Sequence, residues 1–95
     1  MGRHDKLLAQ ILGGRADAGV GFDALRALLR RLGFDERTRG SHHVFRRAGV
    51  PARINLQRAG AEAKAYQVRQ VRAVLVEHGL TALAPRGPTE GGDEA

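Results

Sequence analysis

The sequence predicts a small α+β domain in which helices pack on one face of a three-stranded antiparallel sheet. Three observations lead to this fold class: apolar residues recur at helical spacing in three segments, strand-like segments separated by turns lie together in mid-chain, and the chain has only 95 residues. A chain of this length builds one modest core. So few strands are most stable as an antiparallel sheet with helices on one face, which leaves the other face to solvent or to a partner.

The first two helices are predicted from apolar spacing and from the glycines that follow them. Leucine and isoleucine recur at helical spacing over residues 3–12, before Gly13 and Gly14, and residues 15–21 are rich in Gly and Ala and are interpreted as a connection. The second helix ends before Gly33 and has the clearest apolar face, formed by Phe22, Leu25, Leu28, Leu29 and Leu32.

The hydrophobic period changes after Gly33 and predicts three strands. Residues 34–39 are short and polar enough for an edge strand, and residues 42–47 have the β-branched and aromatic content of a second strand. A turn over residues 48–51 leads to the third strand, residues 52–57, in which Ile54 and Leu56 alternate with polar residues and are expected to face the core.

A final helix is predicted after a loop over residues 58–65. Its apolar stripe is formed by Val68, Val71, Val74 and Leu75, and Gly79 ends it. Residues 81–95 are rich in Pro, Gly and acid, and we expect a disordered tail there. The sequence therefore predicts a single domain over residues 1–80.

Composition points to a phosphate-rich partner and to the cytoplasm. The net charge is +6, which favours nucleic acid among possible partners. Cysteine is absent, so disulfides and thiolate metal sites are excluded and a reducing compartment is the default. No segment has the length and apolarity of a signal peptide or a membrane helix, and no glycine-rich segment matches a phosphate-binding loop; we therefore expect no membrane partner and no cofactor.

The adjacent histidines His42 and His43 are the one concentrated group that titrates near neutral pH, and imidazole is suited to the proton transfers of RNA cleavage. Strand alternation sends the two rings to opposite faces, so they cannot chelate one metal ion. If Phe45 is buried, His43 faces inward and His42 outward; if Val44 is buried, the roles are exchanged. Phe45 has the larger area to bury, which favours His42 as the exposed ring.

The segment Gly40-Ser41-His42-His43-Val44-Phe45, which follows the Leu-Gly-Phe end of an amphipathic helix, resembles the glycine-serine-histidine signature of the HicA toxins. HicA toxins are the mRNA interferases of HicA–HicB toxin–antitoxin pairs. Residues 54–57 and 63–71 also resemble a branch of that family, so the resemblance covers about residues 22–80. The helix at residues 3–12 extends beyond the compact family core.

The resemblance implies a fold similar to a double-stranded-RNA-binding domain and a metal-independent endoribonuclease that cuts single-stranded mRNA. It also implies neutralisation by a HicB-like antitoxin. The motif histidine, His42, is then the catalytic residue, and His43 is the alternative because family members differ in where the histidine stands after Gly-Ser. The predicted RNA-binding residues are Arg39, Ser41, Arg46, Arg53 and Lys64.

Two other functions are compatible with the same residues. One is a non-catalytic RNA-binding module, in which the bases hold RNA by shape and phosphate contacts. The other is a protein-interaction domain whose arginines meet an acidic partner. Cleavage of a single-stranded transcript in the presence of chelator separates the nuclease from both.

Overall fold

The fold is given by a computed structural model, which describes residues 2–83. The helices are α1 (Arg3–Gly13), α2 (Phe22–Arg31) and α3 (Ala65–Glu77), with a short 3-10 turn at Asp17–Gly19. The strands are β1 (Asp35–Arg39), β2 (His42–Arg47) and β3 (Val50–Gln57). The predicted α+β class and the three-stranded antiparallel sheet are confirmed.

The sheet has the order β1-β2-β3, so β2 lies at its centre and β1 and β3 form its edges. Within this sheet Val44 is paired with Arg37 on one side and Asn55 on the other. In the same way His42 is paired with Arg39 and with Gln57. Because paired residues point to the same side of a sheet, these side chains stand in rows on one face.

The opposite face of the sheet carries the core. Phe45, Ile54 and Leu56 are almost completely buried there, and each such side chain contributes about 2 kcal/mol through removal from water. The apolar faces predicted for α2 and α3 are buried in the same core, together with Leu8 and Ile11 of α1. The helices therefore lie on one face of the sheet, with α1 packed against α2 and α3, and the other face is left open, as the fold class predicts.

β3 begins at Val50, two residues earlier than predicted. The turn is only Ala48-Gly49, in which Gly49 has φ 85°, and Pro51 lies within the strand. Proline is tolerated in β3 because an edge strand leaves part of its backbone unpaired. The pairing shifts register between Phe45 and Arg47, which accommodates the short turn.

The loop between β3 and α3 is held against the start of α2. The Phe22 N–H donates to the Ala61 carbonyl at 2.9 Å, and the Ala63 N–H donates to the Val20 carbonyl at 2.8 Å. Gln67, although polar, is only 1% exposed and accepts a hydrogen bond from the Lys64 N–H. The loop thus carries Lys64 to the helical side of the molecule.

The connection predicted at residues 15–21 contains the 3-10 turn, which is fixed by Arg72 on α3. The Arg72 guanidinium donates to both carboxylate oxygens of Asp17, with the closest distance 2.8 Å. Of the predicted tail over residues 81–95, Leu83 is partly buried against the core, and residues 84–95 lie outside the described part of the chain. Within residues 2–83, no helix has the length and apolarity needed to cross a membrane.

Candidate nucleic-acid interface

The side of the sheet that the helices leave uncovered, here called the open face, has a regular arrangement of side chains. One row across the strands contains Arg39, His42 and Gln57, and the next contains Arg37, Val44 and Asn55. The surface forms a shallow depression of about 690 Å³. Its lining residues are Arg37, Thr38, Arg39, His42, Val44, Arg46, Arg53 and Asn55.

The two adjacent histidines of β2 lie on opposite faces of the sheet. His42 is exposed in the depression, whereas His43 is only 5% exposed and faces the core beside the fully buried Phe45. Of the two alternatives that strand alternation left open, the one in which Phe45 is buried and His42 faces outward is therefore confirmed. The geometry leaves one imidazole on the open face and one inside.

The open face concentrates positive charge, since Asp35, the register partner of Arg46, is the one acid on this face among the described strand residues and forms no ion pair with it. Four guanidinium groups line the depression, from Arg37, Arg39, Arg46 and Arg53, and none forms an ion pair with an acid of residues 2–83. No carboxylate is among the lining residues. Such a surface attracts an anionic partner, because bringing phosphates to it requires breaking no internal ion pair.

The buried His43 is held by polar and aromatic contacts. Its Nδ1 lies 2.7 Å from Glu36 Oε2 and 3.3 Å from Thr38 Oγ1. The ring of Phe22 contacts the imidazole edge-on, with the centroids 5.2 Å apart. Because the carboxylate accepts, Nδ1 carries the proton, and the ring orientation is fixed.

Glu36 also accepts hydrogen bonds from Arg26 of α2. Arg26 Nε lies 2.6 Å from Glu36 Oε2 and Arg26 Nη2 lies 3.2 Å from Oε1, which is a bidentate arrangement. These bonds from Arg26 hold the pKa of Glu36 below its ordinary value, although burial acts in the opposite direction and His43 adds a smaller lowering. Glu36 is therefore ionised at neutral pH.

The same cluster extends to Arg58, which follows β3. Arg26 donates to Asp23 at 2.8 Å, Arg58 pairs with the same carboxylate, and the Arg58 guanidinium stacks 4.6 Å from the centroid of the Phe22 ring. Hydrogen bonds from Arg58 and then Arg26 lower the pKa of Asp23. These contacts link six residues in a continuous ring. We call this group the inner polar cluster: Phe22, Asp23, Arg26, Glu36, His43 and Arg58.

The inner polar cluster is joined to the turn that precedes His42. The backbone N–H of Arg58 donates to the carbonyl of Ser41 at 2.9 Å. Gly40, with φ 60°, allows the chain to reverse between β1 and β2. The entry of β2, and with it the position of His42, is therefore bound by its backbone to Arg58, whose side chain belongs to the inner polar cluster.

The structure brings four of the predicted site residues together and separates the others. Arg39, His42, Arg46 and Arg53 share the depression. Ser41 lies in the adjoining turn and is exposed, but it is not among the residues that line the depression. Lys64 precedes α3 and lines a different depression with several alanines, because the loop after β3 leaves the sheet.

Four residues of the depression were not among the predicted site residues: Arg37, Thr38, Val44 and Asn55. Arg37 stands two positions before Arg39 on β1, so alternation in the polar segment 35–39 was the signal that could have placed it on the open face. Asn55 was expected to face outward from β3, but its place in the central row depends on the register of the sheet. The inner polar cluster had no sequence signal, because its members come from distant segments.

Comparisons of the chain with protein-family models, with curated proteins and with solved structures found no match. The likeness to HicA toxins and to double-stranded-RNA-binding domains therefore rests on the residues quoted above. Among residues 2–83, no three His, Asp or Glu side chains are grouped in a way that could hold a metal ion.

Proposed function

We propose that the chain is a HicA-type endoribonuclease that cleaves single-stranded mRNA on the open face of its sheet. The observation that carries the proposal is the exposed imidazole of His42, which stands between Arg39 and Gln57 in a depression lined by four guanidinium groups and no carboxylate. A proton-transferring group and several phosphate-binding groups are thus available to one nucleotide. The Gly-Ser-His-His segment and the order α2-β1-β2-β3-α3 are those that the HicA resemblance implies, and α1 is an addition to them.

The roles follow from the chemistry of phosphodiester cleavage. His42 acts as general acid or base on the attacking or leaving oxygen, since an imidazole can both donate and accept a proton. Arg46 and Arg53 stabilise the charge that develops on the phosphorus centre, and Arg37 and Arg39 hold the neighbouring phosphates. Lys64 contributes only to RNA that extends around the molecule towards α3.

The proposal also specifies where the protein works and what controls it. mRNA as substrate places the chain in the cytoplasm, and proton transfer by His42 with charge stabilisation by arginine needs no metal ion or cofactor. An antitoxin of the HicB type inhibits by covering the open face. Such a partner must present acidic side chains there, because the four arginines of this face outnumber its one carboxylate, Asp35.

The decisive experiment compares two histidine variants on a single-stranded transcript in the presence of chelator. His42→Ala removes an exposed side chain, so we expect an unchanged circular dichroism spectrum and a cleavage rate lower by about 100-fold or more. His43→Asn keeps a donor towards Glu36, and it is expected to retain cleavage with some loss of stability.

The result can also assign the reaction to the other imidazole. Full activity of His42→Ala together with loss of activity in a folded His43→Asn chain would transfer the catalytic role to His43. Full activity of both variants would exclude histidine catalysis altogether.

A non-catalytic RNA-binding module is the second candidate. The observation that favours it is that His42 is the one imidazole on the open face of the described chain and has no carboxylate in its own row or the next to share proton transfer. Binding of RNA without strand scission, at protein concentrations that saturate the transcript, would select this function. A salt titration does not distinguish the two functions, because both neutralise phosphates.

A further inference from the structure

The central row of the open face presents three different chemical groups side by side. The guanidinium of Arg37, the aliphatic side chain of Val44 and the amide of Asn55 occupy paired positions on the three strands, and all three line the depression. No hydrogen bond from the Asn55 side chain to another residue of the described chain is present. Its donor and its acceptor are therefore both available to a ligand.

The position of Asn55 relative to His42 fits the dimensions of one nucleotide. Val44 is paired with Asn55, and His42 is paired with Gln57 two residues further on, so His42 and Asn55 are diagonal neighbours across β2 and β3. Diagonal neighbours in an antiparallel pair lie about 7–8 Å apart. A nucleotide whose phosphate lies at His42 can thus place its base over Val44, with the edge of the base at Asn55.

Apart from the imidazole of His42, the described residues of the open face offer no aromatic ring on which a base could stack. Phe22, Phe34 and Phe45 are buried, and the exposed Tyr66 lies on α3, which packs on the other side of the sheet. Stacking on aromatic side chains is the usual way to bind single-stranded bases without regard to their identity. Without it, a base in this depression is recognised through hydrogen bonds to its edge, which is accessible in single-stranded RNA.

We infer that Asn55 selects the base next to the cleaved bond and that this base is adenine. The amide presents one acceptor and one donor side by side, which match the amino group N6 and the acceptor N7 of adenine in a bidentate contact. The inference rests on the proposed function for the position of the cleaved bond. Guanine is the competing base, since guanidinium groups bind its O6 and N7, and a guanine preference would not depend on Asn55.

The test uses four single-stranded RNA oligonucleotides that differ only in one central base, with the flanking bases all uracil. Initial cleavage rates are measured in chelator for the native chain and for Asn55→Ala, Asn55→Asp and Gln57→Ala. Gln57→Ala is the matched control, because it removes an amide from the same strand and the same face but outside the lining of the depression. The ratio of rates between bases is compared, so that a general change in affinity cancels.

We expect the native chain to favour the adenine oligonucleotide by about 5- to 100-fold and Asn55→Ala to reduce that preference to near unity. Asn55→Asp, which can only accept, is expected to shift the preference towards cytosine, whose N4 amino group donates. Gln57→Ala should keep the native preference. The same base profile in the native chain and in Asn55→Ala would overturn the inference, as would a native preference for any other base.

A binding measurement distinguishes failure of the nuclease proposal from failure of this inference. If no oligonucleotide is cut, fluorescence anisotropy with the same four labelled oligonucleotides still measures base selection as a ratio of dissociation constants. An adenine preference in binding that Asn55→Ala abolishes would keep Asn55 as the selecting residue. Equal binding of all four would exclude that role.

Discussion

Glu36 is the residue on which the inner polar cluster depends. Its carboxylate accepts two hydrogen bonds from Arg26 and one from Nδ1 of His43, and its side chain is only 9% exposed. A carboxylate with charged donors at both oxygens is stabilised in its ionised form. Glu36 thereby joins α2 to β1 and β2 at one point.

We predict that Glu36 makes the free energy of unfolding decrease as the pH falls into the acidic range. Its folded-state pKa lies below the ordinary value of about 4.5, so the unfolded chain binds the proton more readily. The contribution of Glu36 is therefore complete above pH 4.5 and is lost as the pH falls from 4.5 through the lower folded-state pKa. Urea unfolding at a series of pH values between 7 and 3 measures the effect.

The control for this prediction is Glu36→Gln, which cannot ionise. We expect the variant to be about 2 kcal/mol less stable at pH 7, because hydrogen bonds to a charged group are lost, and to depend less steeply on pH below 4.5. Asp23 is unchanged in both proteins, so the difference isolates Glu36. Parallel stability curves for the two proteins would contradict the prediction.

At this scale the sequence predicts the orientation of the two histidines but not the surroundings of His43. Orientation follows from strand alternation and from the size of Phe45, which are local properties. The partners of His43 come from α2 and β1, and their meeting depends on how α2 lies across the sheet. Nothing in the spacing of Arg26, Glu36 and His43 along the chain indicates that contact.

The glycines at the ends of α1 and α2 differ in backbone conformation and in the space around them. Gly33 follows α2 with φ 96°, and a Cβ placed on it would lie 3.1 Å from Arg47 Nε. The same Nε donates to the Leu32 carbonyl at 2.9 Å, so Arg47 has little freedom to move away. Gly13, the last residue of α1, has no atom within 4 Å of such a Cβ and does not need a positive φ.

We predict opposite effects of alanine at these two glycines. Gly33→Ala should destabilise the fold by about 1–2 kcal/mol, because a side chain is strained at positive φ and the new methyl group crowds Arg47. Gly13→Ala should stabilise it by about 0.5 kcal/mol through helix propensity. The midpoints of urea unfolding give both values, and a shift of the same sign in the two variants would contradict this reading of the helix ends.

The strands show which boundaries a sequence can predict. β2 begins and ends at the predicted residues because Gly40 and Gly49 lie close to its two ends. The start of β3 was predicted too late because Val50-Pro51 is typical of a turn in isolation. Only the place of β3 at the edge of the sheet makes a proline acceptable there, and strand order is a property of the whole fold.

At the scale of the whole molecule, the arginines that bind acids lie away from the open face. Arg26, Arg58 and Arg72 bind acids on the helical side, whereas the four arginines of the open face have no acidic partner among residues 2–83. The net charge of +6 predicted a phosphate-rich partner but not this separation, because the pairing depends on contacts between distant segments. The arginines around His42 are therefore not used in internal ion pairs and are available to a phosphate-rich ligand.

We predict that the salt dependence of RNA binding reports on the open face alone. Each phosphate contact to single-stranded RNA contributes about −0.7 to the slope of log K against log salt concentration, so four guanidinium groups give a slope of about −3. Arg37→Gln and Arg53→Gln should each make the slope less negative by about 0.7. Fluorescence anisotropy titrations with the His42→Ala chain, which leaves the RNA intact, measure these slopes.

Arg69→Gln provides the matched control, since Arg69 is exposed on α3 and carries the same charge away from the open face. The salt slope of Arg69→Gln in the His42→Ala chain should equal that of the His42→Ala chain with all its arginines. An equal change for Arg69→Gln and Arg37→Gln would mean that RNA contacts both sides of the molecule, and the proposed interface would then be wrong.

Pro51 has a consequence for how such a small sheet avoids polymerisation. β3 is an edge strand, and an edge with a full set of backbone donors is a template on which a strand of another chain can add. Proline lacks the N–H, so the ladder is interrupted near the start of this edge. At the other edge β1 is only five residues long and rich in charged side chains, which disfavour the addition of another strand there. The molecule can thus keep one face of the sheet exposed for a ligand while its two edge strands resist the addition of strands that leads to fibrils.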